Sequence, residues 1–325
     1  MFLQRYNLGN IMKAISAFLS IYMIMLVTAI LYSSNELKIE PLSMSKALGA
    51  ERGNIKFGLY SAIPMKGSRE EQIARMKELQ AMAVNTVIEG RYNLGERFTQ
   101  FVRDLHAHGI KLAARVTKSK DWYGPGGKGN FELSQAEKKL REASTFAEFF
   151  DYLYLAHEVH EFATHEERVR MYRLAKQYFP ETPIIMYYGA SIDRMEQKPG
   201  KLNHRYGPGE CDIALISVGK ARIDGKIDIE DALKRLGQLR DIIKQRSPTV
   251  EVWVVRSFAR DDAMRSEKTS MWFPEEIRSY GRALIQSGKL DGFFFRGYGR
   301  FTYDLGYPEW EEQRRAFGSI APMKK

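Results

Sequence analysis

The acid–base residues of the chain gather in one stretch, Asp151-Tyr-Leu-Tyr-Leu-Ala-His157-Glu158-Val-His160-Glu161. An apolar and aromatic run of strand type ends there in two histidines and two carboxylates. Such a cluster suits proton transfer, and paired histidines raise the question of a metal. The spacing argues against a metal. A zincin pair needs histidines four apart on a helix, whereas His157 and His160 are three apart at a strand end. His165 and His204 stand at no ligand spacing from them. Strict alternation also sends His157 and Glu158 to opposite faces of the strand. No metal and no cofactor are expected, since the chain has no glycine-rich phosphate cradle, GxSxG elbow or Cys/His nucleophile pair. That leaves Glu158 to explain, because a carboxylate ending a buried strand is costly unless it is paired or functional.

The elements that must position these residues repeat along the chain. Short apolar runs at Ile55–Tyr60, Thr86–Glu89, Lys111–Val116, Tyr152–Ala156, Pro183–Tyr188, Asp212–Val218, Val250–Ser257 and Leu290–Phe295 alternate with helical patterns or loops. Helix starts are written as capping boxes at Ser68–Glu71, Ser134–Glu137 and Thr164–Glu167, and Pro274 and Pro308 stand at expected first helical positions. Gly109 sits where a helix C-terminus wants glycine. Eight strand-like runs in about 270 residues have the size and rhythm of a (β/α)8 TIM barrel. A doubly wound open sheet would want a glycine-rich turn after its first strand, and Ser61-Ala-Ile-Pro-Met is not one. The expected fold is an α/β TIM barrel over residues 54–325.

In a barrel the C-terminal strand ends share one surface. The expected mouth comprises Tyr60 and Ser61, Glu89, Arg91 and Tyr92, then Arg115, Thr117 and Lys118, with His157 and Glu158 from strand four. Tyr187 or Tyr188, Ser217, Arg256 and Ser257, Arg296, Tyr298 and Arg300 complete it, and Trp122 stands in the loop after strand three. Aromatic rings there stack on sugar faces, and arginine forks take carboxylate, sulfate or phosphate. The same arginines also serve as plain partners of nearby glutamates. The expected ligand contacts are Tyr60, Arg91, Arg115, Trp122, His157, Tyr188, Arg256, Arg296 and Tyr298.

Three stretches make the chain resemble the (β/α)8-barrel glycoside hydrolases in the broad, superfamily sense. They are Phe57-Gly-Leu-Tyr60 with Ala83-Val-Asn85-Thr-Val-Ile88, Tyr152–Glu158 with Phe179-Pro-Glu-Thr-Pro-Ile-Ile, and Phe273-Pro-Glu-Glu-Ile-Arg with Gly288-Lys-Leu-Asp-Gly292-Phe-Phe-Phe. The resemblance spans about residues 54–318 and singles out no one family. It implies a polysaccharide ligand and a general acid/base glutamate ending strand four, which maps onto Glu158. Two departures stand out. His157 occupies the place where the large retaining group has asparagine, and strand seven ends Val255-Arg256-Ser257 with no carboxylate nucleophile. Glu89, ending strand two, is the expected second catalytic carboxylate, at a separation suited to inversion through a water. The rival reading is a barrel without catalysis that binds glycan or an envelope protein.

The N-terminus carries a different message. Residues 14–32, AISAFLSIYMIMLVTAILY, hold no charge and are long enough to cross a bilayer as a helix. Arg5 and Lys13 precede this run and no positive excess follows it, so the positive-inside rule puts residues 1–13 in the cytoplasm. The expectation is a single-pass signal anchor, with a cleaved signal peptide as the competing reading. A polar tether over 33–53 then leads to a barrel outside the cytoplasm. The net charge of +10 favours an anionic partner, but without an RNA-binding aromatic motif, zinc-finger spacing or Lys/Arg-rich block nucleic acid is not expected. The single cysteine, Cys211, excludes an intrachain disulfide.

Overall fold

A computed structural model describes residues 55–60, 63, 67–90, 93–124, 130–189, 206–218, 228–257, 272–296 and 310–321. In order these form β1 (Lys56–Tyr60), α1 (Arg69–Ala81), β2 (Thr86–Glu89), α2 (Glu96–Ala107), β3 (Lys111–Arg115), α3 (Ser134–Ser144), β4 (Tyr152–Tyr154) and α4 (His165–Tyr178). Then come β5 (Ile184–Tyr187), β6 (Ile213–Ile216), α5 (Ile229–Arg246), β7 (Glu251–Ser257), α6 (Pro274–Gln286), β8 (Gly292–Arg296) and α7 (Glu311–Gly318). All eight strands pair in parallel and in chain order, and β8 pairs back onto β1 with Tyr60 opposite Arg296, which closes the barrel. No helix among the described residues is long and apolar enough to cross a membrane. The expected spanning segment 14–32 and the tether 33–53 lie outside the described residues.

Two of the three expected capping boxes form. The hydroxyls of Ser68 and Thr164 accept the backbone N–H groups of Glu71 and Glu167, whose carboxylates accept in return from the cap residues. The third does not. Helix α3 begins at Ser134 itself, so that side chain turns back to Glu132, while Glu137 engages Arg141 and Tyr178. A serine inside the first turn no longer faces the N–H groups that a cap residue must satisfy.

The core has two layers, because each strand is buried on both sides. Tyr60, Ile88, Ala113, Tyr152, Tyr154, Ile185, Tyr187, Ile213, Leu215, Trp253, Val255 and Phe294 fill the lumen. Their neighbours on the same strands, such as Leu59, Val87, Leu112, Met186, Val254 and Phe293, face the helices. Two glycines make room for the aromatic plug of the lumen. A β-carbon at Gly58 would lie 2.0 Å from the carbonyl oxygen of Thr86 and 2.6 Å from the Phe294 ring; one at Gly292 would lie 2.8 Å from Trp253. Phe294 and Trp253 stack with centroids 4.9 Å apart, and Tyr152 meets Trp253 edge-on at 5.0 Å.

The N-terminal rim carries a repeated clamp. Asn85, just before β2, accepts the N–H of Phe57 on β1 at 2.9 Å. Asp151, before β4, accepts that of Leu112 on β3; Asp212, before β6, that of Ile184 on β5; and Asp291, before β8, that of Val252 on β7, all within 2.9 Å. Every even strand thus arrives with a side-chain oxygen that satisfies a backbone donor of the strand before it.

Candidate functional site

The C-terminal ends of the lumen-facing rows build the site. By strand alternation Tyr60 (β1), Arg115 (β3), Tyr154 (β4), Tyr187 (β5) and Arg296 (β8) share phase with the lumen residues below them. Register sets Arg296 beside both Tyr60 and Ser257, and Arg115 beside Tyr154. The Arg296 guanidinium lies over the Tyr60 ring at 5.9 Å.

Beyond β4 the alternation breaks. Glu158 adopts a left-handed backbone, φ 52° and ψ 46°, as the chain turns into the short helical segment Val159–Glu161. A β-carbon in that conformation costs of order 1 kcal/mol, and such residues concentrate at functional sites. The bend keeps His157 and Glu158 from diverging to opposite faces, as a continued strand would require. The His157 ring packs on Tyr187 at 4.4 Å and its Nδ1 lies 3.0 Å from the Tyr154 hydroxyl. The Glu158 charge bears on the Tyr187 phenol. Both residues are half-buried. The turn is held from outside the lumen: Val159 is fully buried, Trp122 packs edge-on against Phe162 at 5.3 Å, and the Tyr123 hydroxyl donates to the Phe162 carbonyl.

Electrostatics follow from this packing. Burial pushes the Tyr187 phenol up to about 12, and the negative charge of Glu158 adds to the rise; Arg296 and a hydrogen bond from Ser217 oppose it. Tyr154, fully buried, is held well above the ordinary phenol value by burial and by its hydroxyl interaction with Tyr60, with Arg115 opposing. Both phenols therefore stay protonated at neutral pH and act as donors. The Nε of Arg115 is buried without a hydrogen-bond partner among the described residues, an arrangement that costs free energy until an acceptor meets it. The guanidinium leans over Gly90, where a β-carbon would lie 2.8 Å from that Nε.

Of the expected site residues, the structure brings Tyr60, Arg115, His157, Glu158 and Arg296 together. Four others it turns away. Glu89 is buried on the helix side of β2, in phase with Val87, and its carboxylate accepts the N–H of Ile63 at 2.9 Å to pin the loop after β1. Trp122 is fully buried and donates its indole N–H to Thr117, so no face is open for stacking on a sugar. Tyr188 faces the helices and bonds Glu210, leaving Tyr187 as the lumen tyrosine. Arg256, one residue out of phase with Val255, lies over the Trp272 ring at 5.5 Å. Arg91 and Tyr298 lie outside the described residues.

Two features were not anticipated. Tyr154, the anchor of His157, was legible in the Tyr-Leu-Tyr pattern, since it shares phase with Tyr152. The other is a buried ion pair behind the site. Arg168 of α4 grips Glu210 through two N–H donors at 2.8 Å, both side chains fully buried, and His165, Tyr188 and the Gly207 N–H converge on the same carboxylate. Among the described residues no group of His, Cys, Asp and Glu has the geometry of a metal site.

A closed parallel barrel of eight strands is a TIM barrel, and solved structures share that fold. The fold is similar to a family 39 glycoside hydrolase from Bacteroides cellulosilyticus (TM-score 0.58, 13% identity, 84% of this chain and 64% of that one). It is also similar to an endo-1,4-beta-D-mannanase from Thermotoga petrophila (0.51, 11%, 82% and 98%) and a class V chitinase from Pseudomonas fluorescens (0.50, 12%, 81% and 98%). The chain thus spans less than two thirds of the family 39 enzyme but nearly all of the other two. No protein-family model and no curated protein matches the sequence. The likeness is one of fold and singles out no specific family.

Proposed function

We propose that the protein cleaves glycosidic bonds in an acidic polysaccharide, with Glu158 protonating the leaving oxygen. The observation that carries this reading is the left-handed turn that delivers Glu158, beside His157, into the lumen mouth against Tyr187. Two lumen-facing guanidiniums, Arg115 and Arg296, favour an anionic glycan, because planar forks bind carboxylate and sulfate well. Tyr60 and His157 line the same mouth. The uncharged run at 14–32, preceded by Arg5 and Lys13, supports a membrane anchor that holds this activity outside the cytoplasm.

The test is reducing-end or chain-length assay on acidic glycans with Glu158→Gln. Loss of about 10²–10⁴-fold in kcat with an unchanged fold is the expected result. Full activity in that variant overturns the reading. Glu89→Gln is expected to keep activity, since the carboxylate is buried on the helix side of β2 and an amide oxygen can still accept the Ile63 N–H. A barrel that only binds glycan is the second reading, favoured by strand seven, whose lumen-facing end is Ser257 in place of a carboxylate. It predicts glycan affinity without chain shortening.

A further inference from the structure

We infer that the acidic group recognised at this mouth is the ring carboxylate of a uronate, held side-on by Arg115. This rests on the proposed acidic-glycan reading and names the substrate class. The other arginines of the chain set the contrast. Along the helices Arg69, Arg141, Arg168, Arg235 and Arg315 each meet a carboxylate oxygen within 2.9 Å. At the mouth Arg115 and Arg296 form no such pair among the described residues. Solvent treats the two differently. Arg296 is exposed, so water meets its donors while its guanidinium lies over Tyr60 at 5.9 Å. Arg115 is half-buried, and its Nε is buried with no hydrogen-bond partner. A charged group with an unmet buried donor is costly, and an incoming acceptor removes that cost.

The shape of the donor decides which oxyanion fits. A β-carbon on Gly90 would lie 2.8 Å from the Arg115 Nε and 3.0 Å from both Cζ and Nη2. Near-equal distances to three atoms of one plane set the flat face of the guanidinium against Gly90. Its N–H donors then point along the plane, where Nε–H and a neighbouring Nη–H run parallel. Two coplanar carboxylate oxygens match that edge. A sulfate or phosphate ester carries three terminal oxygens, and at least one must stand out of the plane. On the Gly90 side no side chain exists to meet it, so charge would be buried without a donor. A uronate bears its carboxylate directly on the ring, so the sugar follows the charge into the mouth. Register sets Arg115 beside Tyr154, whose ring stands edge-on to Tyr60 at 5.8 Å, so the wall there is aromatic. The exposed Arg296 attracts a polyanion at longer range without selecting among its groups.

The experiment measures binding by calorimetry to the full chain carrying Glu158→Gln, so that no probe is cut. The probes are oligogalacturonate, oligomannuronate and hyaluronan fragments, their methyl esters, and fragments of a sulfated galactan. At least one uronate binds, and its methyl ester, which keeps the ring and loses the charge, binds at least about tenfold more weakly. Arg115→Lys keeps the positive charge but not the fork; it weakens the uronate by a similar factor and leaves the ester nearly unchanged. Uronate affinity unaltered in Arg115→Lys, or an ester that binds as well as the acid, overturns the carboxylate site. The ester comparison needs no change at Arg115, so it decides the matter even if that variant misfolds. Equal or tighter binding of the sulfated galactan overturns the carboxylate assignment and leaves an acidic glycan standing. Binding of none of the acidic probes overturns both.

Discussion

At the residue scale, the site is a set of compromises around Glu158. Its backbone carries left-handed strain, and its charge sits against a phenol that burial has already made hard to ionise. Strain of this kind persists only when surrounding packing over-determines it. Here Phe162, pinned by Trp122 and Tyr123, performs that task. Arg115 depends on a neighbour with no side chain. Gly90→Ala would drive a β-carbon into the guanidinium and displace it without removing charge. The expected outcome is a KM for acidic glycan raised about tenfold, or about 1.4 kcal/mol, with circular dichroism unchanged; an unaltered KM excludes Arg115 from binding. The residues show where sequence reasoning stops. Thr-Val-Ile-Glu89 is buried throughout, so no polar–apolar alternation reveals which side Glu89 faces. The same holds for Arg256 and the Tyr187–Tyr188 pair. Glu158 was legible because its cost in a buried setting is independent of phase.

At the element scale, strand positions were legible to within one or two residues because continuous apolar runs between turn signals have few other uses. Helix starts were legible where Ser68 and Thr164 cap, and misplaced by one residue at Ser134, where the box pattern lies one position inside the helix. What couples elements was not legible. Nothing in the sequence joins Arg168 to Glu210, forty-two residues on, yet that pair locks the end of the β5–β6 connection onto α4. Glu210→Ala would leave a buried guanidinium unpaired, and unfolding in denaturant should show a loss of roughly 3–5 kcal/mol. A loss below about 1 kcal/mol would show that water reaches Arg168. Gly58→Ala meets a backbone oxygen that cannot swing aside, and a cost of about 3 kcal/mol or more is expected from the same measurement.

At the scale of the whole molecule, the barrel buries phenols on both sides of its wall. Tyr123, Tyr152 and Tyr187 are each pushed up to about 12, in every case chiefly by burial. A raised phenol favours the folded state fully below the unfolded value near 10, and that contribution is lost as pH climbs through 12. The melting temperature is therefore expected to hold steady up to about pH 10 and fall steeply above it, with tyrosinate absorbance appearing in step with unfolding. Tyrosinate absorbance rising near pH 10 without unfolding would contradict the burial of these rings.

The clamps on the N-terminal rim say something further, about the order in which the chain assembles. Each joins residues only 28 or 39 positions apart, on two consecutive strands. The entropy of closing loops that short is modest and nearly equal from unit to unit. The seam between β1 and β8 is another matter, since it must bring Tyr60 to Arg296 across the length of the barrel. Four locally sealed quarters, made early and joined last at the seam, are the route that chain entropy favours. On that route Arg296 meets Tyr60 in the final step, so the mouth of the barrel is assembled only when the fold is complete.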